Sequence, residues 1–244
     1  MTFFLRVTMR PGGIIALRAL PQSKMRTALR YVPPTTLIGA IAYPLLNMIG
    51  NRSETLYEGK TFRSSASSVL GLFLWITVKT SGRPKLYGSL LRINTIYRGK
   101  VQSAVTSLPL AVMYGENDPT ITAIYLIDEK ALEESVYSLK DIERAAWGIT
   151  RLGSRESIVS VEDVQTGRTD VIKAEVADTS YAFPFKGLEV NGRGTLQLVV
   201  DWRYGIGDYS KAKRMAMFYP EGSVRVNGQL KIAEIDGEVI VLAS

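Results

Sequence analysis

Residues 2–9 alternate, with Phe3, Leu5, Val7 and Met9 on one side and Thr2, Phe4, Arg6 and Thr8 on the other. That is the period of a β-strand. The next segment, 11–34, is broken by Pro and Gly and carries Arg18, Lys24, Arg26 and Arg30 without one acid, so an extended loop or short hairpin is expected there. A largely apolar run follows, TTLIGAIAYPLLNMIG. Leu37, Ile41, Leu45 and Met48 form a stripe that Ile38, Ala42 and Ile49 widen, which predicts a helix over 36–49 buried on two sides. Pro33 and Pro34 hold the entering chain extended, Thr35 is the expected N-cap through the amides of Leu37 or Ile38, and Gly50 is the expected left-handed residue at the end. Pro44 predicts a kink.

Residues 68–79 are a near-continuous apolar run, hence a central strand. Residues 80–120 contain Arg83, Lys85, Tyr87, Arg92, Tyr97, Arg98 and Lys100, with no acid before Glu116. Their scattered apolar positions and Gly and Pro punctuation predict a long inserted arm or hairpin. A second strand, 121–127, leads into a helical stretch at 128–149, which Ser138 with Asp141 can recap and so divide in two. Gly153 turns the chain into an alternating strand at 157–164.

The resulting order, strand, helix, strand, strand, helix, strand, is that of the ferredoxin-like (RRM-like) βαββαβ core, an α+β scaffold used by many RNA-binding modules. The RRM stacking signature belongs on the third strand, where 121–127 offers only Tyr125, so reading of RNA on the sheet face is not expected. After Thr166 short β-like pieces (170–176, 194–204, 223–226, 229–235, 238–242) are separated by Gly, Pro and Asp. The expected organisation is a ferredoxin-like domain at 1–165 with an inserted basic β arm at about 80–120, and a β-rich C-terminal appendage at 166–244.

The net charge is +7, but residues 1–115 hold 15 Lys and Arg against Glu54 and Glu58, while 116–244 hold 15 basic and 21 acidic residues. Concentrated positive charge points to a polyanion on one face; a generally basic surface without a specific ligand fits the totals too. Basic and aromatic residues interleaved on a projecting arm suit phosphate contacts with base stacking. The start of the first helix, Thr35, Thr36 and Leu37, offers free amides and a positive dipole end as a seat for an anion, although the same residues also suit a capped core helix with no ligand.

The chain has no Cys and no His, which excludes disulfides, thiolate catalysis, Cys-based zinc sites, Ser-His-Asp triads and HExxH centres. Catalysis would have to use Lys, Tyr, Ser or carboxylates, and a metal-independent ribonuclease can employ the RNA's own 2′-hydroxyl. Glu116 with Asp118, and Glu162 with Asp163, are the acid pairs that a magnesium ion could use; adjacent acids in turns are ordinarily solvated, and no metal or cofactor is expected. Gly192–Gly194 and Gly205–Gly207 lack a nucleotide-binding spacing and read as hairpin glycines. Nothing approaches the roughly 20 apolar residues of a membrane span, and the N-terminus, with Arg6 inside its apolar run, reads as a strand rather than a signal peptide. A cytoplasmic protein is expected. Scarce Asn and Gln and absent Cys are compatible with a thermophile.

Three features together resemble the Cas-five family of CRISPR-associated proteins, in the RAMP superfamily and closest to its archaeal type I-A branch. They are the opening strand, the YVPPTTLIGAIAYPL entry to helix one, and RLGSRESIVSV with Arg151, Gly153, Ser154 and Arg155. The resemblance implies a non-catalytic subunit of a Cascade surveillance complex that caps the five-prime handle of CRISPR RNA. It further implies contacts with Cas-seven-type backbone subunits and the large subunit, and with target DNA only indirectly. The arm at 80–120 would be the family's thumb. Arg18, Lys24, Arg26, Arg30, Tyr31, Arg151 and Arg155 would lie near the handle. One branch of the family cleaves repeat RNA itself, so a metal-independent endoribonuclease stays open, as does a basic interaction module unrelated to CRISPR.

Overall fold

A computed structural model describes the chain except residues 18–27, 59–60, 98–99, 115–117, 208–211 and 243–244; residues 58, 61–62, 86–97 and 100–114 are described in their backbone alone. The alternating N-terminal run is β1 (Thr2–Pro11), followed by the short β2 (Ile14–Ile15) and by α1 (Pro34–Met48). A small hairpin, β3 (Thr55–Glu58) and β4 (Thr61–Ser64), and a 3-10 segment (Ser65–Leu72) lead to β5 (Phe73–Thr80). The basic segment then forms β6 (Pro84–Tyr97) and β7 (Lys100–Tyr114), one long antiparallel hairpin onto whose base β2 pairs. After β8 (Ile121–Asp128) come α2 (Glu129–Glu133), α3 (Leu139–Trp147) and β9 (Val159–Thr169).

Four of these strands form an antiparallel sheet in the order β5-β8-β1-β9. Both of its faces are covered. Leu5, Ile76 and Tyr125 are fully buried on the helical side, where the Tyr125 hydroxyl donates to the Leu37 carbonyl of α1 at 3.0 Å. On the other side Arg6 reaches the Ile235 carbonyl at 3.2 Å and the Thr77 hydroxyl donates to the Ala182 carbonyl. This double cover explains why β8 is buried along seven consecutive positions instead of alternating.

The C-terminal residues that cover the second face are β10 (Val171–Thr179), β11 (Phe183–Pro184), β12 (Glu189–Asn191), β13 (Gly194–Val200), β14 (Arg214–Pro220), β15 (Val224–Ile235) and β16 (Glu238–Leu242). They make one sheet centred on β15 and a three-stranded sheet ordered β11-β14-β13. The main apolar cluster runs across residue 165 without a break, joining Leu5, Ile41 and Ile76 to Tyr181, Trp202, Met217 and Ile240.

Several local expectations differ from what forms. The residue before α1 is Pro33, with no side-chain cap, so Thr35 sits inside the first turn. Gly50 does end the helix at φ 76°, with its amide on Asn47 and that of Asn51 on Leu46, the paired bonds of a Schellman motif. Ser138 caps α3 in a reciprocal box with Asp141 and separates it from α2. The two pieces expected at 223–226 and 229–235 are one strand, because Gly228 at φ 144° lets β15 continue through a register shift opposite Ala174 and Val176. Strand β14, with its alternation blurred by burial of its last four residues, was not foreseen.

Candidate nucleic-acid interface

Residues 30–32, the approach to α1, are held by the C-terminal sheet. The Gln197 side chain accepts from the amides of Arg30 and Tyr31 at 2.9 and 3.1 Å and donates to the Tyr31 carbonyl at 2.9 Å. The Tyr31 ring stacks on Tyr219 at 4.7 Å with 16° between planes. Burial raises the Tyr31 hydroxyl above its ordinary pKa. Tyr31 is therefore a packing residue at 2% exposure, its ring buried in the fold.

The second element, 150–158, is pinned to the same region. Arg151 and Ile158 bridge, and the Leu152 amide donates to Ser157 at 2.9 Å. The buried Ser157 hydroxyl accepts from the Ala16 amide at 2.9 Å and shares a hydrogen with Ser154 at 2.7 Å. Gly153 stands at φ 83°, and a β-carbon there would meet Leu17 at 2.4 Å and Thr36 at 3.5 Å. A side chain at 153 would be strained and would push the loop off α1. At the preceding corner Gly148 lets the chain pass Pro44, whose β-carbon would be 3.1 Å from an added one.

Between these two elements lies a cleft of about 620 Å³. One wall is the outward strip of α1, with Thr35, Thr36, Gly39, Tyr43 and Asn47; the facing walls carry Arg151, Gly153 and Ser154, then Asn51, Arg52 and Glu54, then Ser65, and finally Leu198 of β13. The helix is thus not buried all round: Gly39, Tyr43 and Asn47 are exposed. The Arg151 guanidinium lies 5.9 Å from the Tyr43 ring centroid and 4.0 Å from Glu54. A cleft with two guanidinium groups, amides, hydroxyls and an open aromatic ring suits a phosphate-bearing, base-bearing ligand. The expected anion seat is narrower than three residues, because the amides of Thr36 and Leu37 both donate to the Pro33 carbonyl, at 3.0 and 3.4 Å.

Of the other expected contact residues, Arg155 is exposed and Arg30, in the approach to α1, is half-buried. Lys85 is exposed at the foot of the β6–β7 hairpin, while Arg83 pairs with Glu221 at 3.1 Å. Tyr87, Arg92, Tyr97 and Lys100 fall on the two hairpin strands. Arg18, Lys24, Arg26 and Arg98 lie outside the described residues.

Part of the N-terminal positive charge is not available to a polyanion. Arg6 pairs with Asp236 at 2.9 Å and Glu238 at 3.7 Å, Lys79 with Glu238, and Arg10 with both Asp118 and Glu162. With Arg83, four cations of the first half meet carboxylates that follow residue 115, so the acid excess of the second half neutralises them. Asp118 and Glu162, each named above as half of an acid pair, are both engaged by Arg10. Sequence reasoning missed Tyr43, Asn47, Arg52 and Gln197. The exposed Tyr43 had a signal, an aromatic residue four positions after a helical glycine; Gln197 had none, since its partners are more than 160 residues away.

The arrangement defines a class, a mixed α/β, strand-rich chain with few helices. A crystal structure of a CRISPR protein from Archaeoglobus fulgidus shares the fold with a TM-score of 0.65 and 24% identity, covering 99% of this chain and 98% of that one. No protein-family model matches the chain. The chain is 26% identical over 235 residues to CRISPR-associated protein Cas5 3 of Saccharolobus solfataricus, covering 91% of each. It is also 26% identical over 225 residues to CRISPR system aCascade subunit Cas5 1 of the same organism, covering 86% of this chain and 87% of that protein. The chain is thus homologous to Cas5 proteins of that organism over most of its length.

Proposed function

We propose that this chain is a non-catalytic, CRISPR RNA-binding subunit of a type I-A Cascade-type complex that holds the five-prime handle of the RNA. It docks there on Cas-seven-type backbone subunits and the large subunit. The observation that carries the reading is the meeting of the YVPPTTLIGAIAYPL and RLGSRES segments, about 115 residues apart in the chain, across one cleft lined by Arg52, Arg151 and the first turns of α1. A relative described as an aCascade subunit supports the assembly. The strand order β5-β8-β1-β9, with α1 and α3 in the two connections, supports a ferredoxin-like core, and the β6–β7 hairpin has the place of an inserted thumb.

The test is equilibrium binding of CRISPR RNA with and without its repeat-derived five-prime handle, with the products run on a denaturing gel in EDTA. Tighter binding of the handle-bearing RNA, recovered intact, supports the proposal. Equal affinities contradict handle recognition, and specific cleavage assigns the chain to the metal-independent endoribonucleases.

A further inference from the structure

We infer that the cleft is a single-nucleotide pocket, in which one unpaired base of the bound RNA leaves its neighbours and stacks on Tyr43, over Gly39. The inference rests on the RNA-binding reading above and adds where and how one nucleotide is held.

Gly39 is the first observation. It sits inside a 15-residue helix, where glycine is unfavourable relative to alanine. Such a residue ordinarily serves close packing, yet among the described residues nothing lies within 4 Å of the β-carbon it lacks. The missing side chain leaves room in the cleft instead of room for the fold. Tyr43, one helical turn further, is 55% exposed on the same wall, so its ring is open to a ligand in the cleft. Arg151 approaches its ring from the opposite wall and is placed to meet the phosphate of a base lying there.

An independent observation comes from Ser65 on the far wall. It is 2% exposed, and among the described residues its hydroxyl has no hydrogen-bond partner. A buried unpaired hydroxyl is costly unless something meets it, and a ribose or base edge in the cleft supplies both donors and acceptors. The cleft volume falls in the range of about 300 to 1,000 Å³ that small organic ligands occupy, enough for one nucleotide but not for a duplex.

The two helix substitutions separate binding from folding. Gly39→Ala is expected to raise the melting temperature, since alanine favours the helix, while lowering affinity for handle-bearing CRISPR RNA. Tyr43→Ala is expected to weaken that RNA about 5- to 100-fold, the range of one lost base–aromatic stack, with Tyr43→Phe close to wild type. A 12-nucleotide oligoadenylate serves as a second probe. If handle RNA binds and neither Gly39→Ala nor Tyr43→Ala changes its affinity, the pocket is refuted while handle binding stands. If both probes bind equally and both lose affinity in Tyr43→Ala, the pocket stands and handle selectivity falls. Binding of neither probe refutes both.

Discussion

The side chain of Gln197 closes on both backbone groups of Tyr31, accepting from the amide at 3.1 Å and donating to the carbonyl at 2.9 Å. Strand β13, whose Gln197 follows Tyr31 by 166 residues, thereby sets the line along which the polypeptide runs into α1 and so fixes one wall of the cleft.

Replacing Gln197 with Ala leaves those buried backbone groups, and the half-buried Arg30 amide, without their partner. A loss of about 1 to 3 kcal/mol in unfolding free energy is expected, the usual cost of unsatisfied buried polar groups. Urea denaturation measures it. An unchanged midpoint and slope would mean that other contacts, among them the stacked Tyr31–Tyr219 pair and the Tyr219 hydroxyl on the Val32 carbonyl, hold the segment without Gln197.

Glu238 ties the two halves together through Lys79, Arg6 and the Tyr181 hydroxyl, which donates at 2.8 Å. Burial works to raise its carboxyl pKa, but the hydrogen bonds from Lys79 and Tyr181 and the charges of Lys79 and Arg6 outweigh it and hold the group below the ordinary glutamate value. A depressed folded-state pKa stabilises the fold above the unfolded-state value, and that stability is lost as pH falls through the folded-state value. Wild type should therefore exceed Glu238→Gln in stability at neutral pH and converge with it in acid. Thermal melts of both across pH 7 to 3 check the sign; a gap that widens in acid contradicts it.

Arg151 stands between Glu54 and the Tyr43 ring. Glu54→Gln removes a competing carboxylate from the cleft and is expected to tighten RNA binding by a factor of about 2 to 5, in keeping with an exposed ion pair. Arg151→Glu is expected to weaken binding and to reduce the slope of log affinity against log salt by about 1. Titrations by fluorescence anisotropy between 50 and 300 mM salt resolve both effects; weaker binding by Glu54→Gln would mean that the carboxylate serves the ligand directly.

How much of this was legible beforehand follows the range of the interactions. Local signals were readable: the alternation of β1, the Gly50 terminus, the Ser138–Asp141 box and the hairpin character of 84–114 all depend on residues within a few positions of one another. Burial on both faces hid the rest. The C-terminal strands cover the sheet and so erase the alternation that would have revealed β14, and they supply Gln197 and Glu238 to partners in the first half. The charge contrast between halves is real, but Arg6, Arg10, Lys79 and Arg83 pair with acids from after residue 115, which changes its meaning. The RNA-binding reading therefore draws on the cleft's Arg52 and Arg151 rather than on the net charge of the half.

The most direct measurement compares two charge reversals of equal size. Arg52→Glu with Arg151→Glu alters the cleft, and Lys173→Glu with Lys231→Glu alters a cross-strand pair on β10 and β15, with the same change in net charge. Affinity for handle-bearing CRISPR RNA at 150 mM salt should collapse in the first protein and stay within about threefold of wild type in the second, since screening limits distant charges. Equal losses in the two would show that overall charge, rather than this cleft, holds the RNA.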